Sequence, residues 1–499
     1  MNTVLLTAER CLMSDYNGSL FLGFTACAPR SLFKPFLYFR LICPPVPVEN
    51  GSAKIAPYGT RKIEATLLEN GFKENEVKIV PPEKIRKSIT EDTRVVGITT
   101  NDPLGLGPAS TTFSGDKGLV KEESFNVWKF RELLDSLKDT NVKIVVGGPG
   151  AWQLEDRYIR KKLGIDVVVI GEGEAVVSDL FKKIVAGEEV PEVVYGEPVE
   201  PERIPTIRGA SVGGIVEIAR GCGRGCRFCM PTMRKFRQIP LEKILEEIKV
   251  NCKNGKKFIN FHAEDVLRYG ARGFEVNKEA VLKLFTAGLN FADSLGLSHF
   301  SLASAASSPD TIRGISELLE IPNSEHPWIA GQTGIETGST RLIENYMPGK
   351  AKPFSPQEWC EVVETAFGVC SDNSWVPCAT LIIGFPGETE YDVRKTVELV
   401  ENLREYKSLI VPLFFVPSGP LRSQKGFSAE EMKSYHWELM LECWNHDIHW
   451  LRPLAEEYLR KSPVLSRKLL MRFVEWVITK ANRRVHEFIK EQIEVEKWR

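Results

Sequence analysis

Between residues 95 and 187 short β-branched runs alternate with helical stretches, and the alternation returns between 214 and 416. In the first region the runs are 95–100, 143–146 and 166–170, with helices expected over 125–137 and from about 174 to 186. Strands separated by helix-length segments cannot close as hairpins, so they form parallel sheets with helical crossovers. The first region therefore reads as an open, doubly wound Rossmann-like sheet, which takes ligands at the carboxyl ends of its strands. In the second region the strand candidates are 214–218, 258–261, 299–302, 328–336, 377–384 and 409–416. That pattern predicts a partial parallel β/α barrel with its reactive groups at strand carboxyl ends. At 499 residues the chain exceeds a single hydrophobic core. The expected division is an α/β domain over 1–195, a linker over 196–212 within the Pro- and acid-rich segment 188–212, the barrel over 213–424, and a helical extension over 425–499.

Cys222, Cys226 and Cys229 follow the first barrel strand on a glycine-punctuated loop, spaced CxxxCxxC, with Phe228 just before the last. A four-iron, four-sulfur cluster normally takes one thiolate per iron, so three leave one iron open to bind another molecule. Spacing alone leaves a zinc site open as well, with His262 as a distant fourth ligand. The triplet with its aromatic neighbour resembles the radical S-adenosylmethionine (SAM) enzymes. The resemblance implies that Cys222, Cys226 and Cys229 hold a catalytic 4Fe-4S cluster whose open iron chelates SAM. An electron from an external donor then releases a 5′-deoxyadenosyl radical, and the cofactor carries out the difficult step.

Three later segments resemble the same family in the same order. Ala263, Glu264 and Asp265 resemble the segment that holds the amino group of SAM, where a carboxylate suits an ammonium donor, so Glu264 or Asp265 is the expected contact. The run Gly334 to Ser339 resembles the segment after the fifth strand, implying that Glu336 bonds ribose hydroxyls, with Ser301 or Ser304 assisting. The run 381–389 resembles the sixth-strand segment whose backbone meets adenine, and Gly384 permits that approach.

Glycines also lie beyond the strands of the first region, at Gly147 and Gly148 and at Gly171 and Gly173 around Glu172, where a bulky flat ligand can reach the backbone. With the helix-patterned run 58–71, these segments resemble the cobalamin-binding domain that precedes many radical SAM enzymes. The Asp-x-His-x-x-Gly signature of many such domains is absent, and no histidine precedes His262. Cobalt would therefore have no imidazole from this region. The loop 101–112, with Asp102, Leu104, Gly105, Ser110 and Thr111, is the candidate to pack beneath the corrin.

A formal net charge of −1 gives nucleic acid no electrostatic support. Eleven cysteines in a chain of this length, three of them in a metal-type triplet, fit a reducing cytoplasm rather than a secreted disulfide framework. The chain shows neither a signal-peptide pattern nor an apolar run long enough to span a bilayer. Cys360, Cys370 and Cys378 are candidates for an extra iron site. In the tail, His446 and His449 lack a third ligand, and the apolar and basic run 467–480 reads as a docking helix, with a membrane surface or a partner as the alternative. The resemblance implies a cobalamin-dependent radical SAM methyltransferase acting on an unactivated sp3 carbon. Archaeal enzymes that methylate a glutamine of methyl-coenzyme M reductase match it in architecture. An enzyme acting on archaeal membrane lipid and a cofactor-binding sensor without turnover are the alternatives.

Overall fold

The computed structural model describes residues 2–230, 235–324, 326–460 and 464–497. It divides into two compact units, one of residues 1–216, 239–260 and 291–293, the other of 217–238, 261–290 and 294–499.

The first unit is built on a six-stranded sheet: β1 (Val4–Ala8), β2 (Val77–Ile79), β3 (Val95–Thr99), β4 (Lys143–Gly147), β5 (Val167–Gly171) and β6 (Val193–Gly196), in the order β2-β1-β3-β4-β5-β6. Every pairing is parallel, as in Leu6 opposite Gly97 and Ile98 opposite Val146. Its helices are α1 (Tyr58–Glu69), α2 (Phe125–Leu137), α3 (Arg157–Leu163), α4 (Val177–Val185) and α5 (Leu241–Lys253). Successive side chains of a strand point to opposite faces, and both faces here are covered. Leu6, Val95, Val145 and Val167 pack against Leu180, Phe181 and Ile184, while Leu5, Val96, Ile144 and Val168 pack against Phe130, Leu133 and Leu137. The doubly wound expectation holds.

Two differences have clear causes. Part of the Pro- and acid-rich segment 188–212, residues 193–196, is the edge strand β6, because Val168 N donates to Glu192 O and the chain continues along β5. Helix α5 belongs with the first unit although it follows the cysteine loop. Lys62 Nζ reaches Glu247 Oε1 at 2.5 Å with both side chains buried, and Tyr58 donates to Glu247 Oε2 at 2.6 Å.

Six further strands form two three-stranded sheets. The first has the order β7 (Ile215–Glu217), β8 (Phe258–His262), β9 (Ser294–Leu297), and the second β10 (Ile329–Glu336), β11 (Trp375–Ile383), β12 (Leu409–Phe414). The second sheet is parallel, and a parallel bridge between His299 and Gln332 lies between β9 and β10. The expected strand 299–302 is displaced to 294–297. Ser301 N donates to Asp265 Oδ1 at 3.2 Å and Ser301 is the N-cap residue of a helix, α6 (Leu302–Ser307), so the chain has left the sheet by then.

Burial alternates along these strands. In β8 the pattern is half-buried at Phe258, Asn260 and His262 and buried between; in β12 Leu409, Val411 and Leu413 are half-buried and Ile410, Pro412 and Phe414 buried. Gln332, Gly334, Thr380 and Ile382 continue the half-buried row. A period of two with one face fully packed and the other partly open identifies the open side as the inner face of the barrel arc.

The C-terminal helices α7 (Ser434–Tyr458) and α8 (Val464–Lys497) pack on each other through Trp437 against Phe488 and through Trp444 Nε1 donating to Asn482 Oδ1 at 2.9 Å. His446 is buried against Ser408 Oγ at 2.8 Å, whereas His449 is exposed beside Trp450. Much of the side-chain detail of 464–477, and all of Trp498, lies outside the described residues. Among the described residues no helix is long and apolar enough to cross a membrane.

Candidate active site

The cysteine loop begins where Ile218 N donates to His262 O. Gly221, Gly223 and Gly225 adopt φ of +75°, +71° and +72°, a conformation that glycine takes without steric cost and that coils the loop tightly. Arg224, between the first two cysteines, fixes it. Its Nη2 donates to Asp265 Oδ2 at 3.2 Å and meets Ser304 Oγ at 3.0 Å, and its Nη1 donates to the carbonyls of Lys350 and Lys352. Arg268 adds a bond from Nη1 to Cys222 O at 2.6 Å, and Ser418 Oγ donates to Phe228 O.

Cys222 and Cys226 are buried and Cys229 is half-buried. Burial pushes the Cys226 thiol up to about 11, against a pull downward from the Lys350 charge. Burial also raises Cys222, opposed first by Arg224. Among the described residues no group of three or more His, Cys, Asp or Glu side chains is placed to hold a metal ion, so the structure does not bring the three thiols together. Nor is His262 brought to the cysteines as a fourth ligand; its Nδ1 meets Ser298 Oγ at 2.9 Å. The donors are soft thiols, and Cys222 and Cys226 feel the fixed cations Arg224 and Lys350. That suits an iron–sulfur cluster, because Arg224 and Lys350 offset the thiolate charge that assembly creates.

The strand-end carboxylates divide into two kinds. Asp265 is 1% exposed: Oδ2 takes Arg224 and the Ser304 hydroxyl (2.6 Å), and Oδ1 takes Ser301 N. Asp265 and Ser304 thus brace the cysteine loop through their side chains, and Ser301 caps this network through its backbone N–H. Glu264 is half-buried and has no hydrogen bond among the described residues; burial raises its pKa and Glu217 adds to the effect. Glu264 is the carboxylate of this segment open to an ammonium group.

Glu336 ends β10 at φ +66°, after a bulge between Gly334 and Glu336 in the pairing with β11. The kink folds its carboxylate back over Gly334 onto Lys350 Nζ, at 2.9 Å. Burial alone would lower the Lys350 pKa, but Glu336 and the neighbouring Cys226 outweigh it and hold the ammonium. Gly384 has φ +86°, yet the Phe427 ring already occupies the space where a Cβ would stand, 2.1 Å from its nearest atom.

In the first unit Gly147, Gly148, Gly171 and Gly173 lie half-buried at the carboxyl ends of β4 and β5. A Cβ on Gly148 would stand 2.6 Å from Thr100 O and one on Gly171 2.2 Å from Gly196 O, so these two glycines serve strand-to-strand packing. Gly147 has only an ordinary contact with Val169. Glu172 is buried and accepts from Val199 N at 2.8 Å. In the loop 101–112, Asp102 Oδ1 accepts from Gly107 N and from Gln153 Nε2, Leu104 N donates to Gln153 Oε1, and Thr111 Oγ1 donates to Gly105 O. Ser110 Oγ is buried beside the Cys27 thiol. A half-open, side-chain-free edge beside a self-braced loop fits a flat ligand such as a corrin, and this unit contains no histidine to ligate its metal.

Cys370 and Cys378 are buried, and Cys360 Sγ donates to Gly338 O, so these three cysteines act as packing groups. Sequence reasoning missed Arg224, Lys350 and the row His262–Ser298–His299. Only Arg224 had a local signal, a charged residue between glycines inside the triplet.

Residues 216–400 match the family model "Radical SAM superfamily". Among curated relatives, a tRNA-2-methylthio-N(6)-dimethylallyladenosine synthase of Saccharopolyspora erythraea is 23% identical over 63% of this chain and 62% of its own length. An uncharacterized methyltransferase of Pyrococcus horikoshii is 25% identical over 53% of this chain and 58% of its own. The chain thus spans less than two thirds of these relatives. Among solved structures, the radical SAM methyltransferase TsrM from Kitasatospora setae, with cobalamin and a [4Fe-4S] cluster bound, aligns at TM-score 0.54 and 14% identity over 84% of this chain and 74% of that one. Residues 216–400, with the cysteine triplet at their amino-terminal end, are a radical SAM domain.

Proposed function

We propose that the chain is a cobalamin-dependent radical SAM methyltransferase that places a methyl group on an unactivated sp3 carbon, with a glutamine side chain of methyl-coenzyme M reductase as the leading substrate. The observation that carries this is the extent of the likeness to a cobalamin- and cluster-bound methyltransferase: 84% of the chain, far beyond residues 216–400. The relative from an archaeon, also a methyltransferase, supports the same reading.

Cys222, Cys226 and Cys229 would hold the cluster, and the glycine-edged ends of β4 and β5 would hold cobalamin. When bound, these groups supply an electron for SAM cleavage and a methyl carrier. The chain's own residues bind and orient. Arg224 and Lys350 balance thiolate charge, Glu264 accepts from the ammonium of SAM, and Glu336, held by Lys350, faces the ribose hydroxyls. The external electron donor and the oxygen-sensitive cluster fit a cytoplasmic setting.

Anaerobically reconstituted enzyme, given cobalamin, SAM with a deuterated methyl group, a reductant and unmethylated methyl-coenzyme M reductase, should release 5′-deoxyadenosine and transfer label to glutamine. No 5′-deoxyadenosine from fully loaded enzyme sinks the radical reading; its release with label only on another substrate sinks the glutamine assignment. A second reading, methylthiolation of a tRNA adenosine, draws on the relatives of that activity. Label appearing on tRNA in the same experiment would favour it.

A further inference from the structure

Between β1 and β2 the first unit carries a segment of short turns whose outward side chains are apolar. Leu20–Cys27 forms a 3-10 helix, and the turns Pro35–Leu37 and Tyr38–Ile42 run on from one another. The two parts make one body, because Thr25 Oγ1 and Tyr38 Oη share a hydrogen bond at 3.1 Å and Asn17 Nδ2 donates to Leu41 O at 2.8 Å. Tyr16, Ala26 and Tyr38 fill its inner side, and the Tyr38 ring stacks on Phe125 at the start of α2 with centroids 4.0 Å apart. Phe21, Phe24, Leu32, Phe36, Leu37 and Leu41 are left on the outside, Phe36 69%, Leu32 63% and Leu41 61% exposed. Single apolar side chains scattered over a surface are ordinary, but six large ones from one stretch mark a binding surface.

The charge of the segment has one sign. No Asp or Glu lies between Asp15 and Glu49, whereas Arg30, Lys34 and Arg40 do. Arg30 is paired with Glu123 at 2.9 Å and Glu122 at 3.8 Å, two carboxylates that reach the segment from outside it, and Ser31 N donates to Glu122 Oε2 at 3.2 Å. Lys34 and Arg40 are exposed and enter no ion pair among the described residues. The Arg40 guanidinium lies over the Phe36 ring, 5.8 Å from its centre, so a cation sits directly beside the most exposed phenylalanine.

We propose that this segment docks the enzyme on an anionic lipid bilayer, with the exposed Phe and Leu side chains entering the acyl boundary and Lys34 and Arg40 meeting headgroup phosphates. Long basic side chains suit that place, since their stems lie along apolar surface while their charges stay among the headgroups. Charge selects the bilayer over a second copy of the chain. A two-fold interface would set the patch against itself, bringing Lys34 and Arg40 up to the same two cations with no carboxylate of the segment to relieve them. A protein partner would have to be acidic and also hollowed to receive side chains that project from short turns. A fluid layer of anionic headgroups over acyl chains meets both demands without a matching shape. The inference stands whether the enzyme acts on protein or on lipid.

The test is flotation of the full-length chain with vesicles of phosphatidylglycerol and phosphatidylcholine in equal parts, compared with phosphatidylcholine alone. The expected result is binding to the anionic vesicles that weakens as salt rises. Phe36→Ser combined with Leu41→Ser should abolish it, and Lys34→Glu combined with Arg40→Glu should lower it by about tenfold or more. All four side chains are exposed, so unchanged thermal unfolding should show that both variants fold, and the charge variant decides the matter if the apolar one does not. No flotation with anionic vesicles would leave the patch to a protein partner and overturn the proposal. Equal flotation with both vesicle types, flotation untouched by either variant, or light scattering that shows a dimer dispersed by Phe36→Ser and Leu41→Ser would overturn it as well. None of these readouts needs a loaded cofactor, so failure here is distinct from failure to cleave SAM or transfer a methyl group.

Discussion

Arg224 and Asp265 meet as a buried ion pair, Nη2 to Oδ2 at 3.2 Å, with side chains 4% and 1% exposed. The pair ties the middle of the cysteine loop to the end of β8, so Asp265, one of the two carboxylates expected near SAM, also holds the loop that would carry the cluster.

Asp265→Asn should therefore act on assembly. It leaves a buried guanidinium without a counter-charge, which costs about 3 kcal/mol. Chemical denaturation should show that loss, and iron bound after reconstitution should fall severalfold. An unchanged iron content with weakened SAM binding would return Asp265 to the SAM ammonium.

Gly334 makes room for the Glu336–Lys350 pair: a Cβ there would lie 2.0 Å from Glu336 Oε1 and 2.9 Å from Lys350 Nζ. Gly334→Ala should expel the Glu336 carboxylate from its site and weaken SAM binding about tenfold, equivalent to about 1.4 kcal/mol. Calorimetric titration of SAM into the clustered enzyme checks this. Binding equal to wild type would mean that Glu336 does not face the cofactor.

The two glycine classes at the sheet edge predict opposite phenotypes. Gly171→Ala forces a Cβ onto Gly196 O and should destabilise the first unit by about 2 kcal/mol. Gly147→Ala meets only Val169, so stability should stay within about 0.5 kcal/mol while cobalamin affinity falls. Thermal unfolding and cobalamin absorbance titration separate the two. Unaltered cobalamin binding by Gly147→Ala would move the corrin away from this edge.

Strands β3, β4 and β5 of the central sheet were legible because fully buried parallel strands are continuous apolar runs, as in 166–170. Strands β1, β2 and β6 were not: Val4–Ala8 is short and ends in Thr7 and Ala8, yet it lies inside the sheet. Missing it hid the point where strand order reverses, between β1 and β3, which is where open α/β sheets bind ligands. In the barrel the cysteine triplet was legible from local spacing. The partition of Glu264 from Asp265 was not, because it is decided by Arg224, Ser301 and Ser304, all of them more than thirty residues away. The histidine row was invisible for the same reason: His262 and His299 meet only through Ser298.

Asp447 supplies a pH test of the packing between α7 and β12. It accepts from Ile410 N at 2.7 Å, and burial, only partly offset by that bond, pushes its pKa from 3.8 up to about 8. Below pH 4 the carboxyl is protonated in both folded and unfolded chains, and its favourable contribution is fully present. As pH rises from about 4 to 8 the unfolded chain releases this proton while the folded one keeps it, so the unfolded state is favoured and stability declines; above 8 both are ionised and the decline stops. A shift of that size corresponds to about 6 kcal/mol across that window. Asp447→Asn retains a carbonyl acceptor for Ile410 and has nothing to ionise, so its stability should fall less steeply. Denaturation of both proteins between pH 5 and 8 should show curves that diverge with pH. Parallel curves would mean that water reaches Asp447 and that α7 does not seal the back of β12.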